Sequence, residues 1–274
     1  MKNSPFMSHV KKHALIYFFV LTFLISWIGW GMNLAFALRW VSFRSIVFTL
    51  LGGLGPAIAA IVMTWILSGL RGVGRLLGAL FRKGVRWYWY ALALALQPLI
   101  TLAALGIERV LPGAEMDFSA LPGMLPFLAF FAGMLASNVW EEIGWRGFAL
   151  PRLQERFTNL TSSLVLGFLW SLWHLPLILN PFEEMAALPI WAFLPYTPAL
   201  SILYTWLYNH AKGSLGVVTL FHAMTNAIAL VIMMGHPAFI THYLVNAAVT
   251  ILAATGVAVF QMSPRGKQGK IVST

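Results

Sequence analysis

The chain contains eight apolar segments, each long enough to cross a lipid bilayer. They lie near residues 14–38, 45–69, 88–107, 122–149, 161–180, 189–209, 214–234 and 239–261. A spanning helix needs about 20 mostly apolar residues. Backbone in lipid must satisfy its own hydrogen bonds, so such segments fold as helices. The sequence therefore predicts an all-α polytopic membrane protein with about eight transmembrane helices, which form a single domain over residues 1–274.

The composition supports a membrane protein and excludes several other classes. Hydrophobic residues make up 59% of the chain and charged residues only 9%, whereas a soluble domain carries roughly 25% charged residues. There is no cysteine, which excludes disulfides and thiolate catalysis. The formal net charge of +10 does not indicate a nucleic-acid partner, because the basic residues lie between apolar segments, as topology signals do.

The distribution of basic residues predicts the orientation. If the N-terminus is cytoplasmic, only Arg39, Arg44 and Arg109 of the 18 lysines and arginines fall in outer loops. This bias predicts cytoplasmic N- and C-termini in a bacterial plasma membrane. It places Glu108 outside and makes His236 and His242 interfacial residues of an outer loop.

Three clusters of polar residues interrupt the apolar segments. A charge at the bilayer centre costs about 2.5–3.5 kcal/mol on insertion scales, so such residues face the protein interior and mark functional sites. The clusters are Glu141, Glu142 and Arg146 in the fourth segment, His174 in the fifth, and His222 with Asn226 in the seventh. At a rise of about 1.5 Å per residue, these side chains lie at similar depths. We therefore expect one site at mid-membrane, reached from the cytoplasmic side.

Helix geometry separates the two adjacent glutamates. Glu142 and Arg146 are four residues apart and share a face, which predicts a structural ion pair. Glu141 points about 100° away and remains as the reactive carboxylate. Trp170 lies one turn before His174 and is expected to pack on the same face.

This set of side chains suits hydrolysis of a peptide bond in two ways. A carboxylate and an imidazole can activate a water as it attacks a carbonyl, while a second imidazole and an amide stabilise the oxyanion. Alternatively, Glu141, His174 and His222 bind zinc, since two histidines and a glutamate are a catalytic ligand set.

Three short motifs match those of a known family. EEIGWR at 141–146 fits an EExxxR motif, WSLWH at 170–174 fits an aromatic-xxx-His motif, and HAMTN at 222–226 fits HxxxN. LGPAIAA at 54–60 is similar to the family's second-span Gly-Pro segment. In these residues the chain resembles the CAAX prenyl protease and bacteriocin-processing family of intramembrane endopeptidases.

The resemblance implies an eight-helix fold in which Glu141 and His174 activate water while His222 and Asn226 stabilise the oxyanion. Glu142, Arg146 and Trp170 then support the site. We favour the metal-free scheme, because Asn226 is a poor zinc ligand and a good oxyanion donor. The expected partners are membrane lipid and a peptide or protein substrate, prenylated or unmodified.

Two other functions stay open at this point. The first is a non-catalytic scaffold or bacteriocin-immunity protein that retains the fold. The second is a proton-coupled transporter, since buried glutamate and histidine also form proton relays. The sequence lacks the repeated halves that many secondary transporters have, which ranks the transporter last.

Overall fold

A computed structural model describes residues 5–110, 117, 119 and 121–261 of the chain. All regular structure within this part is helical. The α-helices are α1 (Pro5–Lys12), α2 (Ala14–Ala37), α3 (Ile46–Gly78), α4 (Trp87–Glu108), α5 (Met124–Glu142), α6 (Leu150–Gln154), α7 (Asn159–Trp173), α8 (Leu175–Ile178), α9 (Ile190–His210), α10 (Leu215–Gly235) and α11 (Phe239–Gln261). Four of the basic residues used for the topology prediction, Lys2, Arg265, Lys267 and Lys270, lie outside the described residues.

Six helical stretches are long and apolar enough to cross a membrane. They are Ala14–Ala37, Ile46–Phe81, Trp87–Glu108, Met124–Gln154, Leu215–Gly235 and Phe239–Phe260. These correspond to the first four and the last two of the predicted segments. The prediction of an all-α polytopic membrane protein is confirmed.

The fifth and sixth predicted segments are helical but differ from the other six. α7 has only 15 residues and stops at Trp173, because Pro176 has no N–H to donate to the carbonyl of Leu172 and its ring would clash with that carbonyl. α9 has 21 residues, but it carries Pro195 and Pro198 and several polar side chains. Twelve of its residues are buried, and it packs on α7, α10 and α11. α9 is therefore an interior helix, which explains why it need not be as apolar as a lipid-facing span.

Successive long helices run in opposite directions, so the bundle has two ends. The basal end contains the starts of α2, α4, α7 and α10, and the distal end contains the starts of α3, α5, α9 and α11. Among the described residues, the basic side chains predicted to face the cytoplasm belong to the basal end, with one exception. Arg146 is fully buried and contributes nothing to the surface charge of that end.

The chain leaves α-helical geometry directly after Glu142. Residues Ile143–Ala149 form a π-helical segment, a feature often found at functional sites. Its backbone lies against α3: a Cβ built on Gly144 would lie 2.7 Å from the carbonyl oxygen of Pro56. On the other side, the Phe148 ring stacks on Phe18 of α2 with ring centroids 4.9 Å apart. The Gly-Pro segment of α3 therefore fixes the position of the motif that contains the paired glutamates.

We predict that Gly144→Ala destabilises the protein by about 1–3 kcal/mol, the usual cost of overpacking a tight contact. The added methyl would meet backbone atoms of Pro56 rather than a flexible side chain. Thermal unfolding in detergent measures the change. Gly133→Ala in α5 is the matched control, because a Cβ there meets no atom within 4 Å. Equal unfolding temperatures for the two variants would contradict the prediction.

Candidate functional site

A buried carboxylate, Glu142, lies at the centre of the polar site. Its Oε1 accepts hydrogen bonds from Arg146 Nη1 at 2.9 Å and from His222 Nδ1 at 2.8 Å. The side chains of Glu142 and Arg146 are both 0% exposed, and His222 is nearly so. The Glu142–Arg146 pair expected from the spacing forms, and His222 joins it from α10. Because an ionised carboxylate only accepts, His222 donates from Nδ1 and its neutral ring leaves Nε2 without a proton.

The Arg146 guanidinium is held by aromatic rings as well as by Glu142. Its central carbon lies 4.4 Å from the Trp170 ring centroid and 4.0 Å from the Tyr204 ring centroid. Such cation–π contacts gain strength when the cation is desolvated. They stabilise a guanidinium whose Nε and Nη2 have no hydrogen-bond acceptor.

Trp170 connects Glu141 to His174 through two hydrogen bonds. Its indole Nε1 donates to Glu141 Oε2 at 2.8 Å, and its carbonyl oxygen lies 2.8 Å from His174 Nδ1. A carbonyl can only accept, so the proton sits on Nδ1 and the neutral His174 ring leaves Nε2 free. Trp170 thus positions both groups, a role beyond the packing that the sequence predicted for it.

Two pairs of side chains join α5 to α10 in antiparallel register. Glu142 bonds to His222, and one helical turn away Asn226 Nδ2 donates to Asn138 Oδ1 at 3.2 Å. Asn138 is 2% exposed. The bond uses one of the two amide protons of Asn226 and leaves the second available. Sequence reasoning missed Asn138, although its position four residues before Glu142 places it on the same helix face.

A cavity of about 280 Å³ lies beside these groups. Its wall includes Trp170, His174, His222 and Asn226. Glu141 does not line the cavity, but it accepts a hydrogen bond from Trp170, which does. Three of the four predicted catalytic residues therefore share one cavity inside the bundle.

The cavity extends into the distal half of the bundle. Its wall continues to Glu184 in the segment before α9 and to Phe239 and His242 in the first turn of α11, and Glu184 is exposed. Towards the basal end, fully buried side chains such as Trp145 and Phe148 close the interior. The cavity therefore extends away from the end that carries the N-terminus, whereas the sequence predicts access from the cytoplasmic side, where that terminus is expected.

Glu141, His174 and His222 do not form a metal-ligand group in this structure. Among the residues described, the group of three histidine or carboxylate ligands with atoms within 4.8 Å of one another is Glu108, His236 and His242. Glu108 is the last residue of α4, His236 directly follows α10, and His242 lies in α11. A Glu-His-His group that could hold a metal is present, but it is not the set that the zinc alternative names.

Comparison with known proteins finds similarity in the part of the chain that contains the motifs. Residues 123–228 match the family model described as type II CAAX prenyl endopeptidase Rce1-like. The chain is also similar to "CAAX prenyl protease 2" of Methanococcus maripaludis, with 30% identity over 141 residues. That match covers 48% of this chain and 52% of the relative, so the similarity spans about half of each protein. The residues matched by the family model, 123–228, contain Glu141, Glu142, Arg146, the Trp170–His174 motif, His222 and Asn226.

We predict that the two neighbouring glutamates differ in what they do for stability. Glu142→Gln leaves Arg146 as an uncompensated buried charge and should cost about 3–5 kcal/mol. Glu141→Gln removes no buried ion pair and should leave the unfolding temperature nearly unchanged. Thermal unfolding in one detergent compares the two variants, and a larger loss for Glu141→Gln would contradict the assignment.

Proposed function

We propose that this protein, whose residues 123–228 match the Rce1-like type II CAAX prenyl endopeptidase model, is an intramembrane endopeptidase. The observation that carries the proposal is the pair of imidazole groups, His174 and His222, on one cavity within an apolar bundle. Each donates its Nδ1 proton to a fixed partner, which leaves Nε2 for the substrate or a water. A carboxylate and an amide complete the set.

Glu141 and His174 would activate the attacking water. Trp170 occupies Glu141 Oε2, so Oε1 can accept a proton from water. His174 Nε2 can accept the second hydrogen of that water and orient its lone pair. The oxygen attacks the carbonyl carbon, and its proton passes to Glu141. As the C–N bond breaks, Glu141 returns the proton to the leaving amine nitrogen.

His222 and Asn226 would stabilise the oxyanion that forms during the attack. His222 Nε2 would donate to the oxyanion when it carries a proton taken from the substrate or a water, while Nδ1 keeps its bond to Glu142. The second amide proton of Asn226 provides another donor. Preorganised donors of this kind supply a large share of catalysis in acyl transfer. Asn138 would hold the Asn226 amide in place.

The cavity supports an apolar substrate segment. Beside its polar groups, its wall includes Met134, Leu200, Ile228 and Met233. The similar protein from Methanococcus maripaludis is named a CAAX prenyl protease. We therefore propose a prenylated or otherwise apolar peptide as the substrate. No step requires a metal at Glu141, His174 and His222. If the termini are cytoplasmic, the cavity opens towards the opposite side of the membrane.

We predict that Glu141→Gln lowers kcat by about 10²–10⁴, the usual contribution of a general base. The assay uses purified protein in nanodiscs with farnesylated and unmodified peptide pools. Glu155→Gln is the matched control, because Glu155 is exposed outside the site. Chelator should leave cleavage unchanged.

Cleavage that survives in Glu141→Gln would refute the role of Glu141. A folded wild type with no cleavage, and a cellular phenotype unchanged by Glu141→Gln, would favour the scaffold function.

We predict that Asn226→Ala lowers kcat by about 10²–10³ with little change in KM, as loss of one oxyanion donor does. Asn138→Ala should lower kcat less, because Asn138 acts only by positioning Asn226. A change confined to KM in the Asn226 variant would indicate substrate binding rather than oxyanion stabilisation.

A further inference from the structure

A second cluster of titratable side chains lies at the distal end of the bundle, apart from the proposed active site. Glu108 is the last residue of α4, His236 follows α10, and His242 lies in the first turn of α11. Their exposed fractions are 1%, 4% and 4%. The two histidines, predicted as interfacial residues of an outer loop, are buried in the bundle, and His242 belongs to α11 rather than to a loop. The three helices converge at this end and exclude solvent from the cluster.

We propose that Glu108, His236 and His242 form a zinc-binding site. His236 Nε2 lies 2.9 Å from Glu108 Oε2, and His242 Nδ1 lies 3.1 Å from Glu108 Oε1. Ligands about 2.0–2.1 Å from a tetrahedral zinc are separated by about 3.3 Å. The three side chains are therefore close to the spacing that one zinc ion requires, and a shift of a few tenths of an ångström would admit it.

The hydrogen bonding of Glu108 supports a cation at this position. The bond from His242 goes to Oε2 at 3.2 Å, while Oε1 is buried and accepts no hydrogen bond. A buried carboxylate oxygen without a donor is costly. A zinc ion between the three side chains would satisfy it. Two histidines and a glutamate are also a ligand set that zinc uses in proteins.

Zinc binding would change the protonation of both histidines. In the hydrogen-bonded arrangement, each ring nitrogen that faces Glu108 carries a proton, which must leave before the nitrogen can bind a metal. The other nitrogen of His242 is free to take up a proton. His236 Nδ1 accepts the backbone N–H of Ala238 at 3.2 Å. Zinc would therefore replace this hydrogen bond and the two bonds from the histidines to Glu108 with three metal bonds.

The site would join α4, α10 and α11 at one wall of the cavity. His242 belongs both to the cluster and to the cavity wall. The zinc is therefore a structural cross-link next to the substrate cavity, and it is distinct from the Glu141–His174 pair. The proposal does not depend on whether the protein cleaves peptides.

Direct titration of the full-length protein in detergent tests the proposal. We expect one equivalent of Zn²⁺ to bind after removal of bound metal, and to raise the unfolding temperature by about 5 °C. Co²⁺ in place of Zn²⁺ should give the visible absorption of a tetrahedral site. The Zn²⁺ titration and the Co²⁺ absorption spectrum use the wild-type protein, so they test the proposal even if a variant fails to fold.

Variants then assign the ligands. Glu108→Gln and His242→Gln should weaken Zn²⁺ binding at least tenfold, whereas Glu184→Gln and His210→Gln, outside the cluster, should not. Failure of the wild type to bind Zn²⁺ would overturn the proposal. Binding that is lost in Glu141→Gln or His174→Gln but kept in Glu108→Gln would also overturn it, and would place the zinc at the proposed active site.

Discussion

The polar site depends on one buried anion, the Glu142 carboxylate. Its Oε1 accepts from Arg146 and His222, so residues on α5, the π-helical segment and α10 share one charge. Removing one member of a buried ion pair leaves the other as an unpaired buried charge. The free-energy cost of that charge is far larger than the net contribution of the intact pair to stability. The carboxylate therefore fixes the register of α5 against α10. The Asn138–Asn226 pair follows from the same register, one helical turn further along.

From that register, the roles of the two glutamates separate. Glu142 is enclosed and its Oε1 accepts from two donors, while Glu141 makes one hydrogen bond, to Trp170. Trp170 also accepts from His174 through its carbonyl and contacts the Arg146 guanidinium with its ring. A single aromatic residue thus links the buried ion pair to the groups proposed to activate water. The π-helical segment, held against Pro56 by Gly144, keeps this arrangement in place.

The distal half of the bundle differs from the basal half in packing and polarity. Large aromatic side chains, including Trp145 and Phe148, fill the interior towards the basal end. Towards the distal end a cavity continues past His174, His222 and Asn226 to His242. Glu108 and the two histidines lie at that end, buried in contact with one another. The distal part of the cavity and the proposed zinc site therefore belong to the same end of the molecule.

The sequence by itself determined the helical membrane fold, because only helices satisfy the backbone of apolar segments this long. It also pointed to Glu141, His174, His222 and Asn226 as a polar site, since polar groups inside such segments are costly, and it paired Glu142 with Arg146 through helical spacing. Tertiary structure decided the rest. Spacing within one helix says nothing about contacts between helices, so the bond of His222 to Glu142 and the link through Trp170 could not be predicted. The interior position of α9, the direction of the cavity and the burial of Glu108 with His236 and His242 depend on how the helices pack, which no local pattern encodes.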